Sequence, residues 1–252
     1  LTVDTEIAHM GTPTVSPDGG KVAVGAAFGE LDKRDILIYD LATGSYENLT
    51  NYAEQISAHG PSWLSGTEIV YVVYDYRAAT EVTYSIVKHN IETGVTSDIT
   101  RDTLPATDRV PSTGVEYWWP KVDPASDLSL VCATNYDSGG AYSFAVFDTA
   151  GTLLFDGYSL DTYETISAGD WLDATTIIFP AGPEGNQSIY VVDISTGTVT
   201  ATYPMANAQI SRLFGLNLSP DKTLGASHAQ EKDAAGNHVD NRLFVARIAD
   251  VP

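Results

Sequence analysis

The sequence predicts an all-β chain: a five-bladed β-propeller with four antiparallel strands per blade, closed by the N-terminal strand completing the last blade. Three observations predict it. Short apolar runs alternate with Gly, Pro and Asp clusters along all 252 residues, and no long stretch shows a capped 3.6-residue period. A four-stranded unit recurs at a period of roughly 45–60 residues, the range of propeller blades. The final unit lacks a fourth strand that the opening residues can supply.

Within each unit, strand a ends in a turn rich in Ser, Pro, Asp and Gly. The five examples are PTVSPDGGKVAV from Pro13, PSWLSGTEIVYV from Pro61, PKVDPASDLSLV from Pro120, GDWLDATTIIF from Gly169 and LNLSPDKTLGA from Leu216. Pro presets φ, and Asp and Gly accept the remaining turn geometry. Strand b follows as KVAVGAAF or TEIVYVVYDY. Strand c alternates its side chains and ends in a second turn, as in ILIYDLATG to Gly44, SIVKHNIETG to Gly94, FAVFDTAG to Gly151 and IYVVDISTG to Gly197. Glycine there tolerates a positive φ. Strand d is short: ENLT to Thr50, SDIT to Thr100, then TLLFDG and TVTATY. Repetition of one such unit selects a propeller over a sandwich or barrel.

The blades are expected at about 8–50, 51–100, 101–157, 158–204 and 205–252, the last completed by residues 1–4, all within one domain spanning 1–252. The opening LT of Leu1–Asp4 matches the LT and IT that end strand d elsewhere. Pairing it with the last blade leaves no open sheet edge. The gap from Arg101 to Val115 is too short for a sixth blade.

The SPDG turn, the apolar strand after it and the YDLATG…LT ending resemble the TolB-type propeller repeats, also called PD40 repeats, of the wider WD40-like group. The resemblance runs through essentially the whole chain, strongest in the first blade and worn in the third and fourth. It implies a propeller fold; TolB itself resembles a six-bladed ring with an extra α/β domain, neither of which is read in this sequence, so the resemblance carries over no partner. The matching residues are turn and packing positions, so it implies no catalytic residue.

Charge narrows the partners. Thirteen basic residues stand against 33 acidic ones, a net charge of −20. Such a surface repels phosphate backbones, which argues against nucleic acid. No apolar run reaches the ~20 residues of a membrane-spanning helix. The chain begins at Leu1 with no initiator Met and no basic and apolar leader segment, which reads either as a processed mature chain that has lost a signal peptide or as a piece of a longer protein. The single cysteine, Cys132, sits in an apolar run and reads as a buried structural residue.

Alternate turns of antiparallel strands share a face. The a–b and c–d turns are short and regular. The b–c loops (29–34, 75–81, 136–140, 181–186, 231–241) and the d–a loops (51–57, 101–114, 158–165, 205–211) are longer and variable. Variable loops on a rigid scaffold carry function, with 101–114 expected to be the longest and most irregular. Strand a should line the central channel. Aligning the units on their turns places His9, Ser57, Glu116, Thr165 and Arg212 in one column and Gly11, His59, Trp118, Ser167 and Phe214 in the next. The binding residues expected at the channel mouth are therefore His9, His59, Glu116, Trp118 and Arg212. A plainer possibility is that Glu116 and Arg212 simply pair across the channel. In EYWWP (116–120), one Trp should pack inward and its neighbour face the other way, where it would suit sugar stacking.

No catalytic residues are assigned. A glycosidase needs two converging carboxylates, and the channel columns supply Glu116, with Asp170 nearby in sequence. Walker, Rossmann and Gly-x-Ser-x-Gly patterns are absent. No cofactor or metal is expected. Calcium is the weaker alternative, at Asp233, Asn237, His238 and Asp240, which lack EF-hand spacing. Sequons occur at Asn48, Asn186 and Asn217, and Asn186, in a b–c loop, is the best glycosylation candidate. The functional expectation is a non-catalytic secreted, periplasmic or cell-surface propeller that binds protein or glycan on its long-loop face. The alternatives are a structural subunit of a surface layer, fibre or larger assembly, which would self-assemble through its terminal strand, and a polysaccharide-acting enzyme.

Overall fold

A computed structural model of the chain describes residues 7–28, 33–123, 126–159, 163–204, 210–219, 221–233, 235 and 237–248. Its antiparallel sheets form the predicted five-bladed propeller, with almost no helix. Blade one contains β1 (Ile7–Met10), β2 (Thr14–Val15), β3 (Lys21–Phe28), β4 (Arg34–Asp40) and β5 (Tyr46–Asn48), with β1 and β2 acting as one interrupted inner strand against β3. Blade two contains β6 (Ile56–Trp63), β7 (Glu68–Asp75), β8 (Glu81–Asn90), β9 (Thr96–Thr107) and β10 (Val110–Pro111). Blade three is β11 (Val115–Asp123), β12 (Leu128–Asn135), β13 (Ala141–Asp148) and β14 (Leu153–Asp156). Blade four is β15 (Asp170–Trp171), β16 (Thr176–Ala181), β17 (Ser188–Asp193) and β18 (Thr198–Pro204). Blade five has three strands among the described residues: β19 (Ile210–Leu218), β20 (Leu224–Lys232) and β21 (His238–Arg247). The expected pairing of Leu1–Asp4 with this blade lies outside the described residues.

The turns recur because their side chains repeat. In the first a–b turn, Ser16 Oγ donates to Asp18 (2.6 Å) and the Gly20 N–H donates to the same carboxylate (3.0 Å). Blade five repeats this with Ser219 Oγ to Asp221 (2.6 Å) and the Thr223 N–H to Asp221 (3.1 Å). The c–d turns use one Asx acceptor each: Asp40, Asn90, Asp148 and Asp193 all receive backbone N–H groups from the turn that follows. The LT ending of strand d also has a physical role. Thr50 donates its hydroxyl to the fully buried Asp35 (2.9 Å) and accepts the Ile36 N–H (3.0 Å).

The core lies between blades. Ala23, Ile36 and Ile38 pack against Trp63, Ile69 and Tyr71. Val70, Val72 and Tyr84 pack against Val122, Val131 and Phe147. Leu130, Phe144 and Val146 pack against Trp171, Ile177 and Phe179. Cys132 is buried in this last cluster, and burial pushes its thiol up to about 12.

The 101–114 segment differs from expectation. It is not an irregular loop: β9 continues to Thr107 and turns directly into β10. Blade two therefore extends past residue 100. Asp108 and Arg109 both have positive φ (52° and 64°), the backbone of a two-residue hairpin turn that normally signals itself with Asn-Gly. Pro105 reads as a strand breaker, yet it is tolerated because β9 is an outer strand, where a missing donor costs little. Its carbonyl accepts the Ser112 N–H at 2.7 Å.

One turn position is strained. Gly19 (φ 72°) corresponds to Lys222 (φ 58°) in blade five. A side chain in the left-handed region costs roughly 1–2 kcal/mol, against roughly 0.5–1 kcal/mol of extra chain entropy for Gly. Lys222→Gly should therefore stabilise the protein by about 0.5–1 kcal/mol in urea denaturation, and Gly19→Lys should destabilise it.

Candidate functional site

Each inner strand breaks its ladder at the same level. Register shifts fall between His59 and Ser62, between Trp118 and Lys121, and between Phe214 and Asn217. The first inserted residue takes a positive φ each time: Gly60 (58°), Trp119 (45°) and Gly215 (73°). In blade one the interruption between β1 and β2 spans Gly11 to Pro13. In blade four, Ser167–Gly169 lies between the Ile166 bridge and β15. Bulges of this kind bend a strand and release backbone groups from the ladder.

These interruptions surround an axial cavity of about 250 Å³, to which all five blades contribute: Gly11–Thr14, Gly60–Pro61, Trp119–Lys121, Ser167–Gly169, and Phe214, Gly215 and Asn217. Arg34, at the start of strand c in blade one, also lines it. Among the described residues, none that lines it is acidic. Lys121 Nζ donates to Asn217 (2.8 Å) and lies 3.4 Å from the buried Asp170 carboxylate. Arg34 forms no ion pair among the described residues. Its one side-chain contact is a long one, Nη1 at 3.5 Å from His59 Nδ1, and its Nε is buried without a hydrogen-bond partner.

The residues expected at the channel mouth form the layer behind this cavity. His59, Glu116 and Trp118 come together around Tyr74. The His59 ring meets Tyr74 edge-on at 5.2 Å, and the Trp118 ring lies 5.6 Å away. Glu116 is buried and accepts from Tyr136 Oη at 2.6 Å. Arg212 stands apart from them, its guanidinium 4.9 Å over the Phe214 ring and its Nε buried without a partner. No ion pair joins Glu116 to Arg212 among the described residues. None of these four side chains lines the cavity. His9 pairs with Ala27 through its backbone, and its side chain lies outside the described residues. Asn186 is exposed in its b–c loop. Asn217 lines the cavity on Lys121, and the Asn48 amide is held by Asp35 and the Asn51 N–H.

Trp119, Arg34 and Lys121 were missed by the column alignment. Strict alternation puts Trp118 on the axis, but the bulge that begins at Trp119 shifts the register. Trp118 turns outward to donate Nε1 to Thr134 (3.0 Å), and Trp119 enters the cavity, 40% exposed. The available signal was the proline that follows the bulge in both Gly60-Pro61 and Trp119-Pro120.

Two groups have perturbed ionisation. Burial, reinforced by Arg34, lowers His59 to about 3, so the ring is neutral. Its neighbours fit the Nε2–H tautomer: Nε2–H donates to Ser57 Oγ (2.8 Å) and Nδ1 faces the Arg34 donor. Burial raises Glu116 to about 7, against the opposing hydrogen bonds from Tyr136 and Tyr74. Neither Glu116 nor Asp170 lines the cavity, and Asp170 is held by Lys121 and by the Leu218 and Trp171 N–H groups (both 2.7 Å). The two carboxylates thus do not flank a common space. Asp233 accepts the Ala235 and Asn237 N–H groups and the Asn237 amide, the work of a hairpin loop. Among the described residues no three His, Cys, Asp or Glu side chains cluster as metal ligands.

Fold and cavity together define a β-propeller with an axial ligand-sized space. No protein-family model and no curated protein matches the chain. Solved structures match it at the level of fold. TolB from Acinetobacter baumannii is 18% identical with a TM-score of 0.59, over 94% of this chain and 54% of that one. Oligogalacturonate lyase from Vibrio parahaemolyticus is 16% identical with a TM-score of 0.58, over 95% and 63%. A prolyl endopeptidase structure is 14% identical with a TM-score of 0.55, over 97% and 34%. The chain thus spans about half the length of that TolB and less than two thirds of the lyase.

Glu116 carries a pH signature. Its folded pKa is raised, so below about 4.5 it is protonated in both states and burial costs no ionisation energy. Between about 4.5 and 7 the unfolded chain ionises first, and stability falls as pH rises, by about 3 kcal/mol in all. Glu116→Gln keeps the acceptor for Tyr136 and should remove this loss, so that its stability relative to wild type grows from pH 4.5 to pH 7 in denaturation curves.

Proposed function

We propose that this chain is a non-catalytic, extracytoplasmic binding module that receives a group from a glycan or protein in its axial cavity, with the long loops framing the rest of the ligand. The observation that carries this reading is Trp119. Its counterparts in blades two and five are Gly60 and Gly215, which adopt positive φ without penalty. Trp119 adopts φ 45° at a cost of order 1–3 kcal/mol and leaves its ring 40% exposed inside the cavity. Contact with the Trp118 ring (centroids 5.9 Å apart) and with Gly60 gives part of the return for that conformation. The exposed face gives the rest, because in a preformed pocket it stacks on a sugar ring or covers an apolar side chain.

The extracytoplasmic setting is supported by the likeness to TolB-type repeats, and no helix among the described residues is long and apolar enough to cross a membrane. The TolB likeness is compatible with a protein partner, and the lyase and peptidase likenesses show that the same scaffold also occurs in enzymes. A binding role is preferred here because no carboxylate pair lines the cavity among the described residues. One observation favours self-assembly as a second reading: β21 exposes Leu243 and Val245 (73% and 60%), and its outer edge has no partner among the described residues. Such an edge accepts an added strand.

Trp119→Gly tests the main reading. Relief of the strained φ offsets part of the lost ring contacts, so the variant should stay folded with a similar melting temperature. It should lose glycan or peptide binding at least tenfold on an array of both ligand classes. A folded Trp119→Gly with the wild-type binding profile contradicts the proposal.

A further inference from the structure

In a chain of net charge −20, the axial cavity has two cations, Arg34 and Lys121, and no acid among the described residues that line it. The two cations differ. Lys121 is already neutralised by Asp170 at 3.4 Å and satisfied by Asn217. Arg34 has no carboxylate within ion-pairing distance among the described residues, and its Nε is buried without a partner. Its neighbour His59 is neutral and offers a 3.5 Å contact, too long to satisfy a guanidinium. Arg34 is a half-buried cation that leaves one donor unsatisfied, an arrangement that a counter-charge reaching the cavity would relieve. The backbone gives an independent reason for its placement: the Arg34 N–H donates to Ser57 Oγ (3.1 Å), which fixes the residue against the inner strand of blade two. Planar guanidinium groups recognise carboxylates through paired donors.

Taking the cavity as the binding site, as proposed above, we propose that its ligand is a carboxylated sugar, a uronic-acid unit of an acidic glycan. The carboxylate pairs with the Arg34 guanidinium, the ring lies against Trp119, and Thr12, Thr14 and Asn217 are the polar lining residues left to meet the sugar hydroxyls. At about 250 Å³ the cavity is below the usual range for drug-sized ligands, which suits a single ring with its chain leaving through the mouth.

The test is calorimetric titration of the folded protein with sodium glucuronate and galacturonate oligomers, with neutral glucose oligomers, and with short acidic peptides. The account predicts binding of at least one uronate ligand, at least tenfold weaker binding of its neutral counterpart, and weakening by added salt. Arg34→Gln should lose the uronate preference at least tenfold. Arg34→Lys, which keeps the charge without the fork, should recover part of it, and melting curves should show all variants folded. Equal binding of neutral and acidic sugars, or an Arg34→Gln variant that binds uronate normally, overturns the uronate assignment and leaves the binding-module reading standing. Binding of the acidic peptides alone does the same. A protein that binds none of these, and whose array profile is unchanged by Trp119→Gly, overturns both.

Discussion

The structure depends on how the inner strands of neighbouring blades meet around the axis. Five strands converge there, and their bulges free backbone groups that must find partners elsewhere. Adjacent blades supply them. Trp63 Nε1 donates to the Thr14 carbonyl (3.1 Å) and Trp171 Nε1 to the Lys121 carbonyl (2.8 Å). Ser62 Oγ accepts the Val122 N–H (2.9 Å), and Ser167 Oγ donates to the Leu213 carbonyl (2.6 Å). The Leu216 N–H reaches the Ala168 carbonyl at 2.7 Å. These contacts join blades one to two, two to three, three to four and four to five. Apolar packing between blades is non-directional and would tolerate slippage, whereas these bonds fix the register of one blade on the next.

The same bulges make the cavity. They turn the backbone at one level of all five inner strands, so the axis is lined by small residues and prolines instead of interlocking side chains. Two features then depart from what packing alone requires. Trp119 occupies a backbone conformation that two sister blades give to Gly, and Arg34 brings a guanidinium to the cavity with no carboxylate paired to it among the described residues. Departures from local consistency are expected where a protein serves a ligand. The bonds between neighbouring blades hold the inner strands that carry the site in place, which is what a preformed site needs.

The fold was largely legible because each turn is specified by its own residues. SPDG, DLATG and LT each correspond to a defined hydrogen-bond set, including the Thr50–Asp35 bond that explains why strand d ends as it does. The 101–114 hairpin was not legible, because Asp108-Arg109 adopts a turn that sequence associates with Gly or Asn, and because Pro105 disguises an outer strand. The site was legible only to its level along the axis. Column alignment brought out residues adjacent to the cavity on the inner strands, and His59, Glu116 and Trp118 meet behind it around Tyr74. It assumed unbroken alternation, so a bulge that begins at Trp119 exchanged the roles of the two tryptophans. Arg34 comes from strand c and could not appear in a column built from strand a.

The account's central claim is that an acidic protein keeps a locally cationic cavity with Trp119 open to it. Collisional quenching of tryptophan fluorescence tests this directly. Of the four tryptophans, Trp63 and Trp171 are buried and Trp118 is partly buried, which leaves Trp119 as the accessible emitter. Iodide should quench it more efficiently than caesium at matched ionic strength, despite the net charge of −20, and the difference should vanish in Trp119→Phe. Stronger quenching by caesium, as the overall charge alone would dictate, would contradict the account.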